Sequence, residues 1–358
     1  MRVGTVKEIK AQEYRVGLTP AGAHELVARK HTVLVQKGAG LGIGITDAEY
    51  EQAGAKIAPD AAAVFAGTDM VVKVKEPQAV EIAMLAPHHI LFTYLHLAAD
   101  KAQTTGLVKS GATAIAYETV TDRDGGLPLL APMSQVAGRM ASQMGAQYLL
   151  KSNGGRGLLM GGVPGVFPAR VGILGGGVSG AHAAEIAAGM RADVTLFDIN
   201  APRLAALDAQ FGGAVKTEYS SRKAILDFLP TADLMIGCVL RPGAAAPKLV
   251  RREDLKLMKP GAVLVDVAID QGGCFETSRP TTHDAPVFTV DGIIHYCVAN
   301  MPGAAPLTST YALTAVTLPF VLALADKGLD ALSDPHLAEG VNIRAGQIVH
   351  PGVIAAFA

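Results

Sequence analysis

The sequence predicts an α/β protein of two doubly wound parallel-sheet domains separated by a cleft. Three observations predict it. Short apolar segments of strand length alternate with helix-like segments through the first 117 residues and again from residue 170, as expected of β-α units whose helices cover both faces of a parallel sheet. The second series opens on Val171-Gly-Ile-Leu-Gly-Gly-Gly-Val-Ser-Gly180, followed by Val194-Thr-Leu-Phe-Asp198. That order of strand, glycine turn, helix, strand and acid marks a Rossmann-like fold. The length of 358 residues suits about two domains.

In the first series, Arg2–Val6 reads as a strand. Thr19-Pro20 reads as a helix N-cap with proline at the first helical position, opening a helix to about Lys30. Thr32–Gln36 is the next strand, and Thr46-Asp-Ala-Glu49 is a capping box that starts another helix. Asp69–Val74, Ile90–Leu95 and Thr113–Tyr117 read as further buried strands. Met133–Leu150 forms one long helix, with Ala137, Ala141 and Gly145 along a face that a second helix can approach closely. A glycine- and proline-rich loop, Ser152–Pro168, leads into the second series. Its strands are Arg170–Leu174, Asp193–Phe197, Asp233–Cys238, Ala262–Ala268 and Ile293–Val298. Helical segments from Ser309 to Lys327 and beyond close the chain. These final 50 or so residues are too few for a third domain. The expected division is therefore a discontinuous substrate domain, 1–128 plus 306–358, and a dinucleotide domain, 129–305.

Composition narrows the function. Half the residues are apolar and 18% are charged, which supports large cores and a buried subunit interface. The net charge of −1, without a basic run, leaves no electrostatic footprint for nucleic acid. The three scattered cysteines, Cys238, Cys274 and Cys297, form no Cys-x-x-Cys pair, which favours a reducing cytoplasm over a disulfide framework. The N-terminal segment lacks the apolar region of a signal peptide. The most apolar long segment, Ala312–Ala325, contains Thr314, Thr317 and Pro319 and falls short of a bilayer span. It reads as a buried helix, and no membrane partner is expected.

The glycine turn carries a specific chemistry. Gly175 allows the sharp turn, Gly177 admits a pyrophosphate close to the main chain, and Gly180 lets helix and strand pack tightly. The helix beginning near Val178 directs its free N–H groups and positive dipole end at the phosphates. Asp198, 23 residues beyond Gly175, is placed to accept hydrogen bonds from a ribose diol. These features point to a nicotinamide dinucleotide.

Ligands of open parallel sheets bind outside the carboxyl ends of the strands. Lys75, His96, Asp270 and Asn300 follow strands there, and Arg15 lies in the loop after the first strand. Should the two domains face each other across a cleft, these five converge on one small molecule. Amino-acid or 2-hydroxy-acid oxidation suits them. Arg15 matches a carboxylate bidentately, and Lys75 adds a second cation that polarises a keto oxygen. His96 can shuttle a proton, and Asp270 can orient water. Plainer readings stand beside these. Arg15 closes a loop on Glu8 or Glu13, Lys75 is a surface residue, His96 is one more structural histidine, and Asp270 and Asn300 cap turns.

In their local contexts these residues resemble the alanine dehydrogenase family over essentially the whole chain. The resemblance lies in Glu13-Tyr-Arg-Val-Gly-Leu-Thr-Pro20, Val72-Lys-Val-Lys-Glu-Pro77, Phe92-Thr-Tyr-Leu-His-Leu-Ala98, Leu130-Ala-Pro-Met-Ser134, the glycine turn, Val265-Asp-Val-Ala-Ile-Asp-Gln-Gly-Gly273 and Tyr296-Cys-Val-Ala-Asn-Met-Pro302. It implies reversible oxidative deamination of L-alanine to pyruvate and ammonia with NAD as hydride acceptor. It implies His96 and Asp270 as the catalytic pair and Arg15, Lys75 and Asn300 as substrate contacts. Around the cofactor it implies Ser134, Gly175, Gly177, Val178, Gly180, Asp198, Arg203, Ser220, Val239, Leu240, Val267, Asp270, Val298 and Met301. It also implies a homo-oligomer, usually a hexamer. The magnesium site described for some relatives falls here on Ala323 and Lys327, so no metal is expected. Arg203 can tolerate a 2′-phosphate, but Asp198 repels one, which favours NAD over NADP. The soluble domain of a proton-translocating transhydrogenase, an NAD-sensing module and an enzyme of glyoxylate or another 2-oxo acid remain as rival readings.

Overall fold

The apolar segments of the first series form strands in the computed structural model, which describes residues 1–239 and 246–357. They are β1 (Arg2–Thr5), β2 (Thr32–Gln36), β3 (Lys56–Ala58), β4 (Met70–Val72), β5 (Ile90–Thr93) and β6 (Thr113–Ala116). All pair in parallel, in the order β3-β2-β1-β4-β5-β6. The helix Pro20–Ala28 starts at an N-cap Thr19 whose hydroxyl accepts from Gly22 N. The helix Asp47–Gln52 has the full Thr46/Glu49 capping box.

The second series gives β7 (Arg170–Leu174), β8 (Asp193–Asp198), β9 (Val215–Tyr219), β10 (Leu234–Gly237), β11 (Val263–Asp266), β12 (Val287–Val290) and β13 (Ile293–Tyr296). Their order is β9-β8-β7-β10-β11-β13-β12. The chain then adds β14 (Val341–Arg344) and β15 (Gln347–Ile348) to the edge of the first sheet beside β6. In both sheets the order reverses next to the first strand, between β1 and β4 and between β7 and β10. Ligand crevices of doubly wound sheets open at such switch points.

Contacts group the chain into two compact units, Met1–Met133 with Ala305–Ala358, and Ser134–Ala304. Val6, Phe65, Val71, Leu91, Leu107 and Ile343 lie in the core of the first. Leu174, Phe197, Phe228, Met235, Leu264 and Phe275 lie in that of the second.

Both sheets are mostly parallel, as expected of doubly wound domains, and carry antiparallel strands β12, β14 and β15 that the sequence reading did not include. Asp291-Gly292 and Ala345-Gly346, all at positive φ, make two-residue turns that reverse the chain, as hairpins of this length require. The late helix is also longer than the sequence suggested. It runs 22 residues, Pro306–Lys327, through Thr314, Thr317 and Pro319. By length and composition alone it is a possible membrane span. Thr314 donates its hydroxyl to Thr310 O at 2.8 Å, which pairs that polar group within the helix. Ser309, Leu313, Thr317, Val321 and Leu324 recur every three or four residues as a buried seam, the pattern of a core helix.

Candidate functional site

The C-terminal edge of the first sheet gathers a group of charged residues, among them Glu8, Lys73, Lys75 and Glu118. β4 ends at Val72, and the chain leaves the sheet through Lys73 and Lys75 beside the residues that follow β5. Thr93 Oγ1 donates to Lys75 O at 2.9 Å, and Tyr94 N donates to Val74 O at 3.3 Å. Lys75 is half-buried. Beside it, Glu76 pairs with Lys10. Burial works to raise the Glu76 carboxyl, but Lys75 and Lys10 outweigh it and hold the group below its ordinary range.

Lys73 is wholly buried, with its Nζ 3.0 Å from Glu8 Oε2 and 2.6 Å from Glu81 Oε1. Burial works against its charge, but the two carboxylates outweigh burial and raise its pKa. Burial likewise pushes the Glu8 carboxyl up, against the pull of Lys73. Glu8 Oε1 accepts from Val74 N at 2.7 Å and Lys75 N at 3.3 Å.

His96 sits just past β5 with φ +51, in the left-handed region, and its side chain is 49% exposed. Glu118, beyond β6, accepts from His96 N at 2.6 Å and from Leu95 N at 3.1 Å, and lies 3.8 Å from His96 Nδ1. The Tyr94 ring stacks on the imidazole at 5.9 Å between centroids, and its hydroxyl donates to Leu129 O. Arg15 is buried, with Nε and Nη2 each 2.6 Å from the two oxygens of Glu13. Its Nη1 lies 3.0 Å from Met133 Sδ. The loop-closing partner of Arg15 is therefore Glu13, while Glu8 serves Lys73. That pairing leaves Arg15 oriented as well as neutralised. Lys75, Tyr94 and His96 are neighbours on two adjacent strand ends. Arg15 stabilises the ionised form of Tyr94 electrostatically, although burial dominates and pushes that phenol up.

The second unit carries the glycine turn. Gly175 has φ +97, and a Cβ on Gly180 would lie 1.8 Å from Gly175 O. A Cβ on Gly177 would meet nothing within 4 Å. Gly177 is the N-cap of the helix Val178–Gly189 and offers no side-chain cap, so space and uncapped N–H groups coincide there, as a pyrophosphate requires. Asp198 ends β8 and accepts from Gly176 N at 2.6 Å and Asn200 N at 2.8 Å. Arg203 Nε donates to Gly176 O at 2.6 Å. Ser220 N donates to Asp198 O at 2.9 Å. Ser134 lies one turn before Gly138, whose Cα approaches Ser179 O so closely that a Cβ would stand 2.1 Å away. This donor set fits a dinucleotide.

The remaining candidates follow β10, β11 and β13 at the same sheet edge. Val239 is partly buried, and Leu240 lies outside the described residues. Val267 is partly buried, and Asp270 is exposed in the short turn of helix Ile269–Gln271. The turn acid there is Asp266 rather than Asp270. Asp266 is fully buried and accepts from Ala268, Cys274 and Phe275 N–H and from Ser278 Oγ. Burial still pushes its carboxyl up. Val298 and Met301 are buried. Asn300 has φ +61, and its carbonyl accepts from His283 Nε2 at 3.2 Å and from Gly303 N at 2.9 Å. Sequence reasoning overlooked Lys73, Glu81, Glu118 and Asp266. Lys73, Glu118 and Asp266 share a position at or just past a strand's carboxyl end, whereas Glu81 lies in the short helix Ala79–Ile82.

Residues 4–137 match the family model of the alanine dehydrogenase/PNT N-terminal domain, and residues 141–351 match that of the C-terminal domain. An alanine dehydrogenase of Halomonas elongata is 57% identical over 100% of this chain and 97% of its own length. One of Mycobacterium tuberculosis is 56% identical over 98% of this chain and 95% of its own. A solved L-alanine dehydrogenase structure superposes with a TM-score of 0.97 at 50% identity, covering 100% of this chain and 99% of that one.

Proposed function

The chain belongs to the alanine dehydrogenase/PNT family, and on that premise we propose reversible oxidative deamination of L-alanine to pyruvate and ammonia with NAD. What supports the reading is that one unit carries an open, uncapped glycine turn and the other carries a strand-end cluster of cations and an imidazole. The first suits a dinucleotide, and the second suits a small carboxylate.

Gly175, Gly177, Val178 and Gly180 hold the pyrophosphate, and Asp198 with Arg203 and Ser220 holds the adenosine ribose. Asp198 disfavours a 2′-phosphate. Ser134, Val239, Val267, Val298 and Met301 line the rest of the dinucleotide. Bound there, NAD supplies the acceptor for the hydride of alanine Cα. Arg15 and Lys75 bind the substrate carboxylate and keto oxygen, and Asn300 completes the contact. Asp270 orients the water that adds to the imine carbon. His96 takes and returns the proton at the resulting oxygen as ammonia departs, with Glu118 and Tyr94 fixing the ring. The functional division assigns the dinucleotide to 129–305 and the substrate to 1–128 with 306–358. A cytoplasmic homohexamer without a metal or a membrane partner completes the proposal.

The test is NADH consumption with ammonia and a panel of 2-oxo acids: pyruvate, glyoxylate and 2-oxobutyrate. Pyruvate is expected to give the highest kcat/KM. General acid–base help is typically worth about 10²–10⁴-fold, so His96→Ala should lose at least about a hundredfold in kcat while still binding NADH. Near-normal turnover in that variant sinks the assignment of His96. Absence of pyruvate turnover in the wild type sinks the function.

A further inference from the structure

The Lys73, Glu8 and Glu81 cluster has no part in the mechanism above, yet three charged side chains are taken out of water to build it. Apolar residues of similar volume would fill the space at least as stably. What a carboxylate does there that an apolar side chain cannot is hold backbone. β4 stops at Val72, and the backbone just beyond it carries the N–H groups of Val74 and Lys75. Glu8 Oε1 accepts from both, at 2.7 and 3.3 Å. The carbonyls of the same segment are held by hydroxyls, Lys73 O by Tyr117 at 3.0 Å and Lys75 O by Thr93 at 2.9 Å. Lys73 Nζ joins the second oxygen of Glu8 to Glu81, and Glu81 is itself anchored by Gln78 N at 2.8 Å.

We propose that Glu8 is a positioning residue for the alanine reaction that acts through Lys75, and that the buried Lys73–Glu81 pair exists to hold Glu8 in register. The proposal rests on the reading of Lys75 as a substrate contact. It adds that the site's accuracy is set at the switch point of the first sheet by a residue that touches no substrate.

The test is a double-mutant cycle in the full chain. Glu8→Ala, Lys75→Ala and the double variant are compared for pyruvate KM, kcat and NADH Kd by fluorescence. A hydrogen bond to a charged group corresponds to about tenfold or more, so Glu8→Ala should raise pyruvate KM by at least about tenfold with NADH Kd unchanged. Once Lys75 is gone, removing Glu8 should alter KM by less than about twofold. Glu8→Gln keeps an acceptor for the two N–H groups and should recover most of the loss. If Glu8→Ala does not fold, Glu8→Asp takes its place, since it keeps the charge but falls short of the two N–H groups. Independent, multiplicative effects with an impaired Lys75→Ala overturn the proposal alone, as does an unchanged KM in the Glu8 variants. A wild-type KM in Lys75→Ala overturns the assignment of Lys75 and the proposal with it.

Discussion

Lys73 shows how one side chain couples stability to pH in this molecule. Its ammonium is the cation that pairs with both Glu8 and Glu81 in their buried cluster. Removing one member of a buried ion group leaves uncompensated charge and typically costs about 3–5 kcal/mol. Lys73→Met should therefore unfold at lower denaturant by about that amount near pH 7. The sign of its pH dependence follows from Glu8, whose carboxyl is raised above 4.5 in the fold. A raised carboxyl holds its proton more tightly folded than unfolded. It thus contributes stability below its ordinary value and loses it as pH rises through the folded value. The variant should recover toward the wild type as the pH is lowered from 7 toward 4.5, read by urea titration at several pH values. A deficit that stays constant across that range would show that the loss is packing rather than charge.

At the scale of elements, two glycines of one turn should fail in different ways. Gly180→Ala drives a methyl against Gly175 O, so helix and strand must separate, and loss of stability and of cofactor binding should appear together. Gly177→Ala adds its methyl to open space at φ −66, a conformation alanine accepts. Its melting temperature should match the wild type while NADH Kd rises at least about tenfold. Unchanged NADH binding in Gly177→Ala would remove the glycine turn from the phosphate site. This turn was legible in the sequence because geometry fixes its residues relative to one another. The capping boxes and the parallel strands were legible through periodicity. The edge strands were not. β9 exposes Lys216, Glu218 and Tyr219, and β3 is three residues long, so neither makes an apolar run. The Asp291-Gly292 turn was a readable hairpin signal, but the strand before it, Val287–Val290, is only partly buried and makes no long apolar run. Of the proposed site, the strand-end residues Lys75, His96 and Asp270 were readable from position alone. Lys73, Glu118 and Asp266 were not, because nothing in a sequence tells which side chain of a strand end turns inward.

At the scale of the whole molecule, the apolar composition has a visible outlet. The segment between the helix Ala131–Tyr148 and β7 exposes Leu159, Val163 and Val166, and Phe167 is 93% exposed. Val163 and Val166 bridge in antiparallel fashion, so the segment is an ordered projection with its apolar side chains in water. Soluble monomers rarely leave such groups clustered, and homo-oligomers bury them in self-complementary interfaces. A chain that assembles through this segment should sediment as a particle much heavier than one protomer, with a hexamer as the proposed state. Val166→Ser with Phe167→Ser should shift the sedimentation coefficient to a smaller species. The double variant should keep its melting transition and NADH binding, because both side chains stand outside the core. A wild-type chain that sediments as a monomer at micromolar concentration would refute the assembly, and a variant that keeps the full particle would move the interface elsewhere.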